Sequence, residues 1–355
     1  MAEQSQNVLK YAYQKLSIIS PFKIYEWIIT KKGIKLSDFI VDESLRLDVF
    51  VSKMLQISRN KASNLVKNGS VILDKTPILK PSFIVEVGKK ISINLNEKED
   101  KKENFKTDFE IPIIYEDSDI LVINKPANLV THPAPSVKEP TLLDWLLDKN
   151  YTLSNLNNTR KGIVHRLDKG TSGALVIAKT NKAHLSLVTQ LKDRTMGRIY
   201  LALINLNLKE NLVINRPIGR NPKNRLKKAI VQGARESKSA FSNLYSDDEV
   251  NLIAAKLFSG RTHQIRVHLS SINRYIIGDN LYGFKSQNDK IIRLMLHAYI
   301  LYFKHPTTGE NMKFVANLDD EFLNYKNIKE KAYEKFSPNF IINSFDDFHS
   351  WLCLT

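Results

Sequence analysis

The chain has 355 residues, of which 43% are hydrophobic, and its 53 Lys and Arg outnumber its 37 Asp and Glu. The formal net charge of +16 favours a polyanionic partner, with nucleic acid as the first candidate and an acidic membrane surface as the second. No apolar run reaches the roughly 18 residues of a membrane span, residues 1–31 lack the order of a secretory signal, and the single cysteine, Cys353, excludes an internal disulfide. We therefore expect a cytoplasmic protein of about two domains, without a cysteine-type zinc site.

A compact unit is predicted at about residues 43–95, after an N-terminal extension, residues 1–40, to which the sequence assigns no function. Apolar residues at helical spacing predict its first helix: Leu47, Phe50, Val51 and Met54. Ser58 can cap a second helix, which is followed by two strand-like runs. The polar side of the unit is basic and carries Arg46, Lys53, Arg59, Lys61, Lys67, Lys89 and Lys90.

This unit resembles the alpha-L (S4-like) RNA-binding module. The matching stretches are Arg-Leu-Asp at 46–48, Ser-Arg-Asn-Lys-Ala at 58–62 and Val-Lys-Asn-Gly-Ser-Val at 66–71. In that family the second helix and the loop after it lie along RNA, which implies RNA-binding roles for Arg59, Lys61 and Lys67. The residues alone leave a second interpretation open, a small domain with a solvated basic face.

A charged stretch separates this unit from a larger one. Residues 96–107 are almost all charged or polar, so they cannot form a hydrophobic core and are predicted to be a linker. Beyond it, apolar strands alternate with short helices and predict an α+β domain over residues 108–317. The strand signals are at 120–123, 199–204, 252–257 and 313–316, and a helix is predicted at 181–192. Residues 318–355 form a C-terminal extension of helical character and unassigned function.

The most informative stretch is Gly-Ile-Val-His-Arg-Leu-Asp-Lys-Gly-Thr-Ser-Gly at residues 162–173. Its pattern predicts a strand, an acidic loop and a second strand, which would present Asp168 at a sheet edge within reach of a substrate. Local physics by itself favours a plainer interpretation, in which the stretch is a surface turn whose aspartate caps its own backbone. The rest of the chain reverses that preference.

Further blocks accompany this motif in order, at residues 116–133, 198–202, 216–228, 260–283 and 296–306. Together they resemble, over roughly residues 110–317, the RluA-type RNA pseudouridine synthases, which isomerise uridine to pseudouridine in structured RNA. The resemblance implies an α+β catalytic domain with a mixed, largely antiparallel sheet. It also implies that Asp168 is the catalytic aspartate, Tyr200 the active-site tyrosine, Arg266 the basic partner of the aspartate and Leu296 a pocket residue.

The implied reaction explains these residue types. The N1–C1′ bond of uridine must break, the uracil must turn, and C5 must bond to C1′; because no redox change or group donor is involved, no cofactor is expected. An ionised carboxylate acts either as the nucleophile or as the base that takes a sugar proton, and the sequence leaves both routes open. A neighbouring guanidinium keeps that carboxylate charged and fixes its aim, while a tyrosine ring can stack on the uracil.

The target base must leave its stack to reach Asp168, at a cost of a few kcal/mol. We expect His165 and Arg166 to help to hold the displaced RNA. The dense basic loop at 216–228 suits contacts with phosphates, and its candidate residues are Arg216, Arg220, Arg225, Lys227 and Lys228. The expected partner is structured RNA, with large-subunit ribosomal RNA as the first candidate because two-domain members of this group commonly act there.

Two other functions remain open at this point. One is a non-catalytic RNA-binding or ribosome-assembly factor that uses the same basic surfaces. The other is a metal-dependent nuclease that uses the histidines. His263 and His268 are five residues apart and would point to opposite faces of a strand, so no metal site is expected. We expect a monomer that does not bind membranes.

Overall fold

The computed structural model describes residues 29–30, 33–34, 37–94, 107–134, 137–157, 159–283 and 293–345. The chain divides into two compact units, Met1–Glu103 and Asn104–Thr355. The predicted linker at 96–107 lies outside the described residues except for Thr107, and so does Cys353. No helix in the described segments is long and apolar enough to cross a membrane.

The first unit combines two short helices with small antiparallel sheets. Its strands are β1 (Ile29–Thr30), β2 (Gly33–Ile34), β3 (Ser37–Ile40), β4 (Leu45–Arg46), β5 (Val71–Leu73), β6 (Thr76–Pro77), β7 (Ile84–Val85) and β8 (Lys90–Ile93). Its helices are α1 (Leu47–Leu55) and α2 (Arg59–Lys67). The largest of the sheets described has the strand order β3-β8-β5-β6. The predicted α+β module is confirmed.

The two helices begin and pack as their sequences predict. The Ser58 hydroxyl accepts a hydrogen bond from the backbone N–H of Lys61 at 3.3 Å and caps α2. Gly69, whose φ is +73°, follows the C-terminal end of this helix. The apolar faces of α1 and α2 form one core together with strands β5, β7 and β8. This packing leaves the charged face of α2 exposed to solvent.

The second unit is built on one large mixed sheet. Its strands are β9 (Ile113–Glu116), β10 (Ile120–Lys125), β11 (Ser172–Ala178), β12 (Gly197–Ile204), β13 (Leu212–Asn215), β14 (Ile218–Arg220), β15 (Lys228–Ile230), β16 (Lys238–Ser246), β17 (Asn251–Leu257), β18 (Leu296–Lys304) and β19 (Asn311–Val315). Its α-helices are α3 (Leu142–Asp148), α4 (Asn181–Asp193), α5 (Gln264–Ser270), α6 (Asp320–Asn324), α7 (Ile328–Lys331) and α8 (Pro338–Asn343).

The strand order of the large sheet is β13-β16-β17-β12-β18-β11-β10-β9, with β19 also paired to β18. Strands β11 and β18 run parallel, and the other pairs of this sheet are antiparallel. Strands β14 and β15 form a separate hairpin. The predicted mixed, largely antiparallel α+β fold is therefore confirmed.

Both faces of the central strands are covered. Along β10, Val122 packs with Leu187 of α4 on one face, whereas its neighbour Leu121 belongs to the main core on the other, as the two-residue alternation of a strand requires. The predicted helix at 181–192 is present, but Val188, which the spacing places on its buried side, is 41% exposed. The sheet therefore buries only part of the apolar face of α4, and Val188 lies outside that part.

The described part of the C-terminal extension belongs to the main core. Phe322, Ile328 and Ile341 are fully buried and pack in the same cluster as residues of β12 and β17. The hydroxyl of Tyr299 on β18 donates a hydrogen bond to the carbonyl of Phe336 at 2.7 Å. Residues 320–345 thus pack against the sheet as part of the same core.

We expect Phe322→Ala to lower the free energy of unfolding by about 3–5 kcal/mol, because it opens a cavity in a packed core. Phe340→Ala is the matched control, since its ring is 39% exposed, and it should cost less than about 1 kcal/mol. Urea unfolding of both variants measures the difference. Equal, small losses would show that the C-terminal segment does not stabilise the domain.

Candidate active site

An open cavity of about 550 Å³ lies beside the centre of the large sheet. Its walls come from the loop before β11, from β12, from the turn between β17 and α5, and from the first residue of β18. Five residues predicted from the sequence line it, namely Arg166, Asp168, Tyr200, Arg266 and Leu296. The fold therefore brings together residues that are far apart in the chain.

Asp168 lies in a tight turn directly before β11. The backbone N–H of Thr171 donates to the Asp168 carbonyl at 3.0 Å, and the Asp168 side chain keeps 17% of its surface exposed. Gly173 has φ +113°, and a Cβ on it would overlap the backbone carbonyl of Ala298. Only glycine therefore permits the close parallel pairing of β11 with β18, which fixes the turn that carries Asp168.

Arg266 on α5 is the cation nearest to this carboxylate among the described ion pairs. Its Nη1 is 3.4 Å from Asp168 Oδ2, while its Nε and Nη2 each lie 2.8 Å from an oxygen of Asp279. Burial opposes its charge, but the hydrogen bonds to Asp279 and the charges of both carboxylates raise the pKa of Arg266. This bidentate pair fixes the guanidinium beside Asp168. The sequence had given Asp279 no role; the only signal for it is an acidic residue between glycines 278 and 283.

Tyr282 and His263 connect the surroundings of Asp168 and Arg266 to the β14–β15 hairpin. The Tyr282 hydroxyl accepts a hydrogen bond from the backbone N–H of Lys228 at 2.8 Å and lies 2.8 Å from His263 Nδ1. His263 Nε2 is 3.8 Å from Asp168 Oδ2, and burial lowers the pKa of this histidine. The Arg266 guanidinium lies 5.0 Å from the centre of the Tyr282 ring. The loop end of the β14–β15 hairpin, where Lys228 pairs with Arg220, is thus joined to the surroundings of Asp168.

Tyr200 and Leu296 form the apolar wall of the cavity. Each is 4% exposed, and they lie on the adjacent strands β12 and β18. Burial raises the pKa of Tyr200, so its hydroxyl keeps its proton at neutral pH. The wall suits the flat face of a base.

His165 does not line the cavity, contrary to the expectation that it helps to hold RNA. Its ring is 9% exposed, and its Nε2 accepts a hydrogen bond from the backbone N–H of Val176 at 3.2 Å. Burial lowers the pKa of His165 well below its usual value, so the imidazole is neutral. The strand predicted before Asp168 is reduced to a single bridge between Ile163 and Ile177, because the imidazole takes a backbone donor of β11. Arg166, the next residue, is exposed at the cavity.

Lys125, to which the sequence assigned no role, is fully buried beneath the Asp168 turn. Its Nζ donates hydrogen bonds to the carbonyls of Pro126 at 2.7 Å, Leu129 at 2.8 Å and Lys169 at 3.4 Å. It thereby ties the turn after β10 to the loop that carries Asp168. Asn128, which stands where the resembled family usually has glycine, has φ +62°, so asparagine keeps this turn.

Lys125 predicts a pH dependence of stability. Burial lowers its pKa to about 7, against the opposing charge of Asp168. Between pH 7 and about 10.5 the unfolded chain binds a proton that the folded chain does not, so stability rises with pH in this window. From pH 7.5 to 9.5 we expect wild type to gain about 2 kcal/mol relative to Lys125→Met.

Urea unfolding across this range measures that gain, and Lys182→Met, which removes an exposed lysine, should follow wild type. Parallel pH profiles for wild type and Lys125→Met would show that the buried amine keeps its proton in the folded chain.

His297 and His268 make hydrogen-bond contacts in the interior of the domain and do not line the cavity. Arg293 Nη2 donates to Ser172 Oγ at 2.8 Å, the Ser172 hydroxyl lies 2.7 Å from His297 Nδ1, and His297 Nε2 lies 3.1 Å from the Ala316 carbonyl. His268 lies on helix α5, so the strand geometry considered for His263 and His268 does not apply, and the His268 ring contacts Ser239 Oγ at 3.0 Å. Among the described residues, no three His, Cys, Asp or Glu side chains are grouped so that they could hold a metal ion.

The predicted RNA-binding residues lie on two basic surfaces. The loop expected at 216–228 is largely the β14–β15 hairpin, on which Arg216, Arg220 and Arg225 are exposed and Lys227 and Lys228 are half-buried. Its turn is ordered by Asn221 Oδ1, which accepts hydrogen bonds from two backbone N–H groups.

In the first unit, Arg59, Lys61 and Lys67 are exposed on α2. The nearly buried carboxylate of Asp48 accepts hydrogen bonds from Arg46 at 3.1 Å and from Arg59 at 2.9 Å. The hydrogen bonds from Arg46, followed by those from Arg59, lower the pKa of Asp48 against the effect of burial. Asp48 therefore holds Arg59 in a fixed direction at the start of the basic helix.

Comparisons with known proteins point to one family. Residues 119–271 match the family model of RNA pseudouridylate synthases, and residues 45–91 match that of the S4 domain. A Helicobacter pylori protein described as an uncharacterized RNA pseudouridine synthase is 45% identical over 316 residues, covering 86% of this chain and 96% of the relative. The ribosomal large subunit pseudouridine synthase D of Pseudomonas aeruginosa is 37% identical over 292 residues, covering 78% of this chain and 90% of the relative.

Among solved structures, human RNA pseudouridylate synthase domain containing 1 has 30% sequence identity and a TM-score of 0.48. The match covers 59% of this chain and 84% of the human chain. The two family models and the length over which the curated relatives align confirm the resemblance drawn from the motifs. The chain belongs to the RluA-type family of RNA pseudouridine synthases, which are isomerases, and it carries an S4 domain.

Proposed function

We propose that this enzyme converts specific uridines of large-subunit ribosomal RNA to pseudouridine, with Asp168 as its catalytic group. The observation that carries the proposal is a part-exposed carboxylate in a cavity, 3.4 Å from a guanidinium that a second carboxylate holds in place. The name of the Pseudomonas aeruginosa relative supports the choice of ribosomal RNA.

The proposed roles follow from the positions of the side chains. Asp168 acts on the sugar of an everted uridine, either by attack on C1′ or by removal of a proton, and the Arg266 guanidinium holds it in position. Tyr200 stacks on the uracil, and Leu296 packs beside it as part of the same wall. Arg166, exposed beside Asp168, contacts the RNA strand from which the base has left. The structure accommodates both routes for Asp168.

The two basic surfaces are proposed to bind the RNA backbone, in the S4-like module at 43–95 and on the hairpin of the catalytic domain at 108–317. The exposed cations of α2 and of the β14–β15 hairpin suit phosphate contacts. We further propose that the enzyme acts as a monomer. The proposed substrate would place the enzyme in the cytoplasm, where bacterial ribosomes are assembled.

The test compares ribosomal RNA from cells with and without the gene by pseudouridine mapping. We expect specific uridines of the large-subunit RNA to remain unmodified in the deletion strain and to become pseudouridine when the purified enzyme is added to that RNA. Sites found only in transfer RNA would refute the proposed substrate. Salt-sensitive RNA binding without any pseudouridine formed would instead indicate a binding factor.

A further inference from the structure

Arg198 is a buried cation at the cavity for which the described residues supply no carboxylate. It is 8% exposed, takes part in no ion pair within the described part of the chain, and has a buried Nε without a hydrogen-bond partner. Arg266 and Arg293, the other deeply placed arginines of this region, pair with Asp279 and Asp319. A buried charge without a counter-charge is costly, so its presence beside a cavity calls for a ligand.

The guanidinium lies where the substrate base must bind. Arg198 and Tyr200 are two residues apart on β12 and share one face of the strand, and both line the cavity. A Cβ on Gly260 would lie 3.1 Å from Arg198 Nη2, so glycine in this wall leaves space for the guanidinium. The charge of Arg198 partly offsets the rise in the pKa of Tyr200 that burial causes.

The proposed reaction generates an anion at this place. When the N1–C1′ bond breaks, its electron pair stays on N1 of the uracil, and the charge spreads to O2 and O4. C1′ is then bonded to an Asp168 oxygen, or has lost its positive charge through transfer of the C2′ proton to Asp168. When the electron pair of the uracil bonds C5 to C1′, the Asp168–C1′ bond breaks on the first route and restores the carboxylate, whereas on the second route Asp168 returns its proton to C2′. C5 then releases one proton and N1 takes one up, so atoms and electrons balance.

We propose that Arg198 is a further catalytic residue, whose guanidinium binds the detached uracil anion at its carbonyl oxygens beside Tyr200. This inference rests on the proposed function of the Asp168 site. The cation is already in place before the bond breaks, so its full charge acts on the transition state without rearrangement. It also holds the freed base inside the cavity while the base turns.

The test measures single-turnover rates and RNA affinities of Arg198→Met and Arg198→Lys on RNA that contains either uridine or 5-fluorouridine. Fluorine stabilises the departing anion and so lowers the need for a cation. On uridine we expect Arg198→Met to slow the reaction about a hundredfold, with RNA affinity within about threefold of wild type. On 5-fluorouridine, followed by its disappearance in nuclease digests, the loss should shrink to about tenfold. Arg198→Lys should retain part of the rate on both RNAs.

Arg274→Met is the matched control, because that arginine binds backbone carbonyls outside the cavity and its loss should leave the rate unchanged. Equal losses on both RNAs would overturn the proposal, as would a loss confined to RNA affinity, which would indicate a phosphate contact. If Arg198→Met fails to fold, Arg198→Lys decides, since its deficit must also be smaller on 5-fluorouridine. Failure of the proposed function is distinct, because wild type itself would then form no pseudouridine.

Discussion

Asp168→Asn should abolish pseudouridine formation, with a fall of about a thousandfold or more in the single-turnover rate. The amide has the shape of the carboxylate but is neither a nucleophile nor a base, so both routes open to Asp168 are closed. The Asp168 side chain is 17% exposed and has Arg266 at 3.4 Å, so the substitution removes one long charge contact and leaves no cavity. We therefore expect stability and RNA affinity close to those of wild type.

Release of tritium from RNA labelled at C5 of uridine measures the rate, and urea unfolding checks the fold. Asp248→Asn, which neutralises an exposed carboxylate of the same domain, is the control and should keep full activity. If Asp168→Asn releases tritium as fast as wild type, the assignment of Asp168 is wrong and the acid must be sought elsewhere in the cavity.

The strands were predictable where both of their faces are covered. Residues 199–204 are a continuous apolar run, and residues 252–257 are apolar except for Lys256. The structure places them in β12 and β17 at the middle of the sheet. The C-terminal segment was not predictable in the same way. Its buried residues, such as Phe322 and Ile341, are spread over helices too short to show a periodic apolar pattern in the sequence. They become buried only because these helices pack in the core of the sheet.

Within the site, the motifs identified the residues that line the cavity but not those that support them. Asp168, Tyr200 and Arg266 lie in recognisable blocks, and the structure brings them together. Lys125 acts on a carbonyl 44 residues away, and that contact leaves no local pattern. For His165 the motif predicted a contact with RNA, but its ring accepts a hydrogen bond from the backbone of β11. The position of a residue in a motif does not reveal the direction of its side chain.

Arg266 offers a test that separates stability from catalysis, because it also neutralises a buried partner. Arg266→Met leaves Asp279, whose side chain is 1% exposed, as a buried carboxylate without its cation, which should cost about 3–5 kcal/mol. The same change should slow the reaction at least about a hundredfold, since Asp168 loses the guanidinium that positions it. Stability and rate therefore both fall, and the single variant cannot tell a structural from a catalytic role.

Adding Asp279→Asn to Arg266→Met removes the orphaned charge and should restore much of the lost stability, as urea unfolding would show. The single-turnover rate should stay as low as in Arg266→Met, because both proteins lack the Arg266 guanidinium beside Asp168. Arg266→Lys keeps the charge but cannot bridge both carboxylates, so it should fall between these variants and wild type. Recovery of turnover together with stability in the double variant would show that Arg266 only holds the fold, and that Asp168 acts without this guanidinium.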